Sequence, residues 1–420
     1  MKTNRVIQIQ LQVSSTVWQQ MTDARIQAAR LWNRMVKLHL WFRKRNKKWP
    51  TQSQFEKHFA RKFRLHSQTI QALIAKFFSN IETTKTNRAN GDRKARYPYK
   101  KKNYFNPVWK GQHIKIENNY IILPMGIDPH SRKRQLGICI RLPKDLPEGK
   151  IVQAELAFGK LLLTIQNQVE VTKPVKEKIA TSDLGSIHLS VVTDGQNSLA
   201  VVGRGLRSIN QGKAKSLAEI SQLQSRCQKH SKRWTKLQKA KYKILNKAEN
   251  QTKDLLHKAA NELVDFCKEK EVSKLIVGDI TQINRGKKDK TSRRLNQEMG
   301  LLSLGLFVAY LRYKLAIFGI ELEEYNESYT TKTCPACGNK HKPIGRQYHC
   351  PKCKFVGVRD EVGAINLLNK YLNKGEIKPN FLIPKGKVKY LRPVKLKNFA
   401  RRSRAADTGH PSIHALCADG

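Results

Sequence analysis

The sequence predicts an α+β protein of several domains, and three observations carry that prediction. Strand-like and helix-like hydrophobic periods alternate along it, 39% of its residues are hydrophobic, and two CxxC pairs crowd into one short segment. Its 420 residues suffice for two to four domains with real cores, at the usual ~100–200 residues per domain. It carries 81 Lys+Arg against 32 Asp+Glu, a formal net charge of +49. Like charge at that density destabilises a compact chain unless a polyanion neutralises it, and nucleic acid offers phosphates in quantity. No run of about 18 apolar residues occurs, so no membrane partner is expected. The first twenty residues alternate polar and apolar instead of forming a signal-peptide core, which points to a soluble, intracellular protein.

Residues 5–13 alternate with period two, the pattern of a half-buried strand. From Ser14 the period becomes helical: Leu31, Met35, Leu38 and Phe42 share one face, with Arg34, Lys37, Arg43 and Lys44 on the other. A second helical stretch follows Pro50 through Phe55, Phe59 and Phe63, and a third runs from Ser67 with Ile70, Leu73, Ile74, Phe77 and Phe78. Strands resume at His113–Ile122, Leu136–Leu142 and Val152–Gln166, bounded by Gly, Pro or Asp-Pro turns. Between the helices and these strands lies a run of cations interleaved with aromatics. Arg93, Lys94, Arg96, Lys100, Lys101 and Lys102 could meet phosphate there, while Tyr97, Tyr99, Tyr104 and Trp109 could offer ring faces to bases. A solvated loop whose aromatics tuck into a core is the alternative.

A new domain starts near Lys178 with a strand, an acidic elbow at Asp183 and a returning strand. Residues 206–271 read as a basic helical hairpin. An apolar strand at 274–280, a Lys/Arg-rich loop to Arg294, an amphipathic helix through Phe318, a strand at Ile320–Tyr325 and a last helix at Val362–Tyr371 follow. Residues 373–420 are rich in Pro, Gly and basic residues and read as a mostly disordered tail, tolerant of truncation.

Of eight cysteines, Cys139, Cys227, Cys267 and Cys417 are scattered, which excludes a disulfide framework. Cys334, Cys337, Cys350 and Cys353 form two CxxC pairs with the spacing of a zinc ribbon, in which four thiolates close a tetrahedral shell. A closed shell leaves no open position, so this zinc is structural.

In a chain so poor in acids, each one carries information. Asp183 ends a strand and Asp360 starts the last helix, where an Asp is most often a cap. Two carboxylates at sheet edges in a nucleic-acid-binding chain also suit Mg²⁺, which takes hard oxygen ligands and, in pairs, serves phosphodiester hydrolysis.

Asp183-Leu-Gly-Ser-Ile-His-Leu189, Glu327-Ser-Tyr-Thr-Thr-Lys-Thr-Cys-Pro-Ala-Cys-Gly338 and Arg359-Asp-Glu-Val-Gly-Ala-Ile-Asn-Leu367 together resemble the TnpB family, transposon-encoded RNA-guided nucleases ancestral to the type V CRISPR effectors. The resemblance covers nearly the whole chain. It implies a wedge β-barrel (1–13 and 93–175) interrupted by a helical recognition domain (14–92), then a RuvC nuclease domain of ribonuclease H-like fold (176–329 and 357–372) with a zinc ribbon (330–356) inserted. It also implies that Asp183 and Asp360 are the first and third RuvC carboxylates. The family's second motif is usually Val-Glu-Asp-Leu, and here the strand reads Val277-Gly278-Asp279-Ile280, with glycine at the ligand position. Asp279 could substitute, but neighbouring side chains on a strand point to opposite faces. Glu327 could substitute by reaching across from the next strand, and the family contains sequences that pair this Gly-Asp with a Glu before the Tyr-Thr segment, which favours Glu327. The third possibility is an inactive site.

The function expected is an RNA-guided, Mg²⁺-dependent DNA endonuclease. Its partners would be a guide RNA derived from the transposon end and a double-stranded DNA target beside a short flanking motif, in the nucleoid-associated cytoplasm of a prokaryotic cell. The alternative is a nuclease-deficient RNA-guided DNA-binding protein, a repressor or transposition accessory factor; a DNA-binding transposase acting without RNA is a more distant third. Loop 285–294 would be either a mobile lid over the cleft or a plain solvated loop.

Overall fold

A computed structural model describes residues 2–168, 177–279, 302–386 and 388–393, and divides the chain into two compact units, Met1–Val169 and Glu170–Gly420. Loop 285–294 and the tail beyond residue 393 lie outside the described residues.

In the first unit, strand β1 (Lys2–Gln10) leads into three helices: α1 (Ser15–Lys44), α2 (Gln52–Phe59) and α3 (Ser67–Ala89). Their starts follow from the sequence. The Ser14 hydroxyl accepts the Val17 amide at 3.4 Å, and Thr51 and Gln54 form a reciprocal capping box at α2. Six short strands follow: β2 (Val108–Lys110), β3 (Lys115–Glu117), β4 (Tyr120–Leu123), β5 (Ile138–Arg141), β6 (Lys150–Ala157) and β7 (Lys160–Gln168). They build two antiparallel sheets, β1-β7-β6-β2 and β3-β4-β5. β1 pairs with β7 along its whole length, so the chain's first strand is placed by its most distant partner in the unit. Leu31, Met35 and Phe77 from the helices and Ile121, Ile138 and Leu163 from the strands share one core.

Two stretches expected as single strands are hairpins. Asn118 and Asn119 both take left-handed backbone (φ 48° and 64°) between β3 and β4, as a tight two-residue turn requires. Gly159 (φ 66°) turns β6 into β7. The sequence marks both turns, with Glu117-Asn-Asn119 and with Gly159-Lys160, where the apolar parity changes.

The second unit opens with an antiparallel meander of β8 (Ile179–Leu184), β9 (His188–Thr193) and β10 (Ser198–Val202). Helices α4 (Arg204–Ser225) and α5 (Lys232–Glu269) follow, then β11 (Lys274–Gly278), α6 (Leu304–Ile317) and β12 (Glu321–Tyr325). The hairpin β13 (Gln347–His349) and β14 (Val356–Val358) precedes α7 (Arg359–Leu372) and β15 (Val388–Leu391). One sheet runs β12-β11-β8-β9-β10-β15, with β12, β11 and β8 mutually parallel. Ala180, Leu184, Leu275 and Val277 face α4, α5 and α6, where Leu256, Leu263, Phe307 and Leu311 complete the core. Thr181 points to the other face, where its hydroxyl donates to the Ala364 carbonyl of α7 at 2.7 Å.

The expected tail needs correction. Residues 373–386 return along α7, where Asn369 exchanges two hydrogen bonds with the Lys378 backbone (2.7 and 3.1 Å), and β15 adds in parallel to the open edge of β10. A Lys-rich composition blunts a sheet edge without preventing it from pairing. A chain ending at residue 386 should therefore melt lower than one ending at 393 and scatter more light on heating, because β10 becomes an exposed edge; equal melting of the two would show that the strand contributes nothing.

Candidate active site

The carboxyl ends of parallel β8, β11 and β12 lie along one edge of the sheet, the end at which open α/β sheets carry their ligands. Asp183 sits at the end of β8. The register that pairs Val277 with Ser182 carries Gly278 level with Asp183 and onto the same face. Gly278 in turn pairs with Tyr325 of β12, and two residues later the chain brings Glu327 back over it. A Cβ built on Gly278 would fall 3.0 Å from Cδ of Glu327 and closer still to its Oε2. The Glu327 carboxylate thus occupies the space that a side chain at 278 would fill, and glycine is what admits it. Asp279 takes the opposite parity, with its amide donating to the Tyr325 carbonyl at 2.8 Å.

Helix α7 packs over this end of the sheet and fixes the groups beneath it. A Cβ on Gly363 would meet Asp183 Oδ2 at 2.6 Å and Thr331 Cγ2 at 3.0 Å, so the helix backbone rests directly on the Asp183 carboxylate. Asn366, fully buried, donates to the carbonyls of Thr330 and Thr333, both at 2.7 Å. Lys370 donates to the carbonyls of Asn326 and Ser328 at 3.0 and 3.2 Å. These bonds hold the turn that carries Glu327 from both sides. Asp360 does not cap the helix: the cap residue is Val358, and Asp360 Oδ2 instead meets His188 Nδ1 at 2.6 Å. Asp183, Glu327 and Asp360 are therefore brought to one site. His188, Gly363 and Asn366 were not singled out from the sequence, although all three lie within the segments that carry the family resemblance.

Burial pushes the Asp183 carboxyl well above the usual carboxylate range, and the negative charges of Glu327 and Asp360 push it further; Arg359 and the Leu184 amide oppose this. Glu327 is raised by burial and then by Asp279. Among the described residues no Lys or Arg forms an ion pair with any of the three, and the Arg359 guanidinium donates to the Gly345 carbonyl at 3.1 Å. The three carboxylates do not bring their oxygens all within 4.8 Å of one another, but oxygen-only donors, partly desolvated and short of counter-charge, are the kind that a hard divalent cation such as Mg²⁺ takes.

The four ribbon cysteines form the one group of three or more ligating side chains, among the described residues, whose donor atoms all lie within 4.8 Å of one another. Cys334 and Cys353 Sγ are 3.6 Å apart, as are Cys337 and Cys350 Sγ. A tetrahedron of Zn–S bonds of about 2.3 Å has edges of about 3.8 Å, so the thiolates fit zinc. The amides of Gly338 and Lys354 turn back onto the carbonyls of Cys334 and Cys350 at 2.9 and 3.0 Å, each forming a tight knuckle.

The basic-aromatic segment divides. Trp109 is 1% exposed in β2 and donates its indole N–H to the Pro124 carbonyl at 2.8 Å, so it is a core residue and offers no stacking face. Tyr97 is half-buried between the guanidinium groups of Arg43 and Arg88, 4.9 and 5.1 Å from its ring centre, which covers it as well. The pattern of alternating aromatics could not separate rings that face inward from rings that face outward. Arg93, Lys94, Arg96, Tyr99, Lys100, Lys101, Lys102 and Tyr104 are exposed. Asn33 of α1 pins the segment by exchanging two hydrogen bonds of 2.8 Å with the Lys102 backbone.

Residues 163–284 match the OrfB family of the IS605 type, described as "Probable transposase", and residues 305–367 match the TNB domain of Cas12f1-like proteins. TnpB-like protein MJ0751 of Methanocaldococcus jannaschii is 32% identical over 146 residues, 34% of this chain and 51% of that protein. "Putative transposase MJ0856.1" of the same archaeon is 30% identical over 80 residues, 17% of this chain and 73% of that protein. The CRISPR-associated endodeoxyribonuclease Cas12f1 of an uncultured archaeon is 24% identical over 145 residues, 32% of this chain and 27% of that protein. The matched region thus spans about half the length of MJ0751. In fold the chain is similar to Cas12f1 in the cryo-EM structure of a Cas12f1–sgRNA–target DNA complex, with a TM-score of 0.58 and 17% identity over 85% of this chain and 84% of that one. The mixed α/β multidomain architecture is shared with proteins of that type. The chain belongs to the TnpB family.

Two outcomes follow from this geometry. A carboxyl whose folded pKa is raised costs stability once it ionises, so the metal-free protein should lose stability as pH rises from about 4 through the raised value of Asp183. Asp183→Asn should remove that loss and raise the metal-free Tm at pH 7 by a few degrees, read by calorimetry. Gly363→Ala should lower Tm, at a cost of about 1–3 kcal/mol for overpacking, because the added methyl would fall 2.6 Å from Asp183 Oδ2 and 3.0 Å from Thr331 Cγ2.

Proposed function

We propose that this protein is an RNA-guided, Mg²⁺-dependent DNA endonuclease of the TnpB type, associated with an insertion-sequence transposon and cleaving DNA beside a short flanking motif. The observation that carries this reading is the Glu327 carboxylate standing in the side-chain space of Gly278, on the face that bears Asp183. A chain that had simply lost its second acid would have no reason to return another one to the same place. The order β10-β9-β8-β11-β12, an antiparallel meander followed by two parallel strands, supports reading the second unit as a RuvC domain of ribonuclease H-like fold. The two antiparallel sheets and three helices of the first unit support the wedge and recognition reading.

Asp183, between the other two acids in its electrostatic surroundings, is the shared ligand; Glu327 and Asp360 complete the set. When bound, a pair of Mg²⁺ ions supplies an activated water and stabilises the leaving oxygen of the phosphodiester. The protein's own part is to hold three carboxyl groups oriented before substrate arrives. Burial of Asp183 under Gly363 and the clamps of Asn366 and Lys370 on the Glu327 turn serve that end. The exposed cations of residues 93–102 meet the phosphates of the guide RNA or the target duplex, and Tyr99 and Tyr104 offer exposed rings, each with a cation near it. The ribbon zinc acts by holding Cys334 and its neighbours, and hence the start of the turn behind Glu327.

The protein purified with its native RNA should cut a matched duplex in Mg²⁺. Glu327→Ala should then reduce cleavage by more than ~10²-fold with target binding retained, since losing a ligand should exceed the 10–100-fold that outer partners cost. Asp279→Ala should retain most activity. Binding without any cutting by the parent protein would establish the nuclease-deficient reading instead, and the reverse pattern of the two variants would make Asp279 the ligand.

A further inference from the structure

We propose that His188 is a positioning residue for the metal site, holding Asp360 by donating its Nδ1–H to Oδ2 and so reserving Oδ1 as the metal-binding oxygen. This rests on the reading of Asp360 as a metal ligand. His188 is the first residue of β9, and the imidazole–carboxylate distance is 2.6 Å. An ionised carboxylate has no hydrogen to give, so the bond selects the tautomer with hydrogen on Nδ1.

Three features place the ring. The β9–β10 register shifts between Val201 and Val202, so that Val201 faces Ser190 while Val202 faces His188. Such a bulge re-aims a side chain at a sheet end. The Gly203 amide donates to the Ile187 carbonyl at 2.7 Å and fixes the backbone just before the histidine. The Tyr390 ring of β15 lies 5.5 Å from the imidazole, tilted by 50°, so the strand that covers the sheet edge also backs the ring. Among the described residues, His188 is the one side chain that bonds or pairs with Asp360. Nothing else there restrains rotation of the carboxylate about its Cβ–Cγ bond. An outer partner that fixes a ligating group typically contributes 10–100-fold in metal affinity.

The test is Mn²⁺ binding to the full-length, zinc-loaded chain without nucleic acid, by isothermal titration calorimetry, for the parent, His188→Ala, His188→Asn, His188→Gln and Asp360→Ala. The Asn amide nitrogen lies as many bonds from Cβ as Nδ1 and can restore the donor, whereas that of Gln matches Nε2. His188→Ala and His188→Gln should weaken Mn²⁺ by about tenfold or more, and His188→Asn should remain within about threefold of the parent. Cleavage by His188→Ala should recover on raising Mn²⁺. Parent-like binding by His188→Ala, with Asp360→Ala weakened, would overturn this proposal alone. Parent-like binding by both would overturn the metal-ligand reading of Asp360 along with it. Equal weakening of all three His188 variants would assign the ring to packing and overturn the hydrogen-bond role.

Discussion

Asp183, Glu327 and Asp360 repel one another in a place where water screens them poorly, and much of the second unit is arranged to keep them together. Each comes from a different element: the end of β8, the turn after β12 and the first turn of α7. Parallel pairing of β8, β11 and β12 brings the first two to one sheet edge. Helix α7, buried along nine consecutive residues from Glu361 to Asn369, brings the third and locks the others beneath it. The hydrogen bonds of Asn366 and Lys370 oppose the retreat of Glu327 that electrostatics alone would favour. The site gathers unfavourable charge that a divalent cation would relieve, and the raised carboxyl of Asp183 reflects it.

Glycine appears at the two points where this arrangement is tightest. At Gly278 the missing side chain is replaced by the carboxylate of Glu327, which arrives from a neighbouring strand. At Gly363 the missing methyl lets helix backbone lie against Asp183. On the proposed reading, relocating an acid within a metal site needs both a longer reach at the new position and vacated volume at the old one, and Glu327 with Gly278 would supply this pair. The net charge of +49 is the complement: acids are few and concentrated, while the cations of residues 93–102 stay exposed on a segment fixed to α1 by Asn33.

Much of this was legible along the chain. The helices of the first unit follow from the spacing of residues such as Leu31, Met35 and Phe77, and the zinc ribbon from four cysteines in two knuckles. Asp183 and Asp360 were legible because acids are rare here and fall at element ends. The hairpin turns at Asn118–Asn119 and Gly159 were marked by turn residues but were read through, because each falls inside a stretch rich in strand-forming residues on both sides. Strand β15 was not legible, because its four residues are embedded in a Pro-, Gly- and Lys-rich stretch whose composition outweighs so short a strand. Tyr97 and Trp109 looked like stacking residues in a basic run, yet one lies between two guanidinium groups and the other is sealed in the core.

By itself the sequence determined the α+β class, the order of its segments and the thiolate set, because these depend on local period, spacing and composition; Asp183 and Asp360 were singled out as candidates, with their roles implied by the family resemblance. It left the second acid open among Glu327, Asp279 and none. Only the tertiary structure decided which carboxylate stands beside Asp183, since that depends on strand register and on volume across a sheet, between residues 49 positions apart in the chain. The partner of Asp360 was decided in the same way. His188 reaches it only because a bulge between β9 and β10 turns the ring toward a helix that begins 171 residues later.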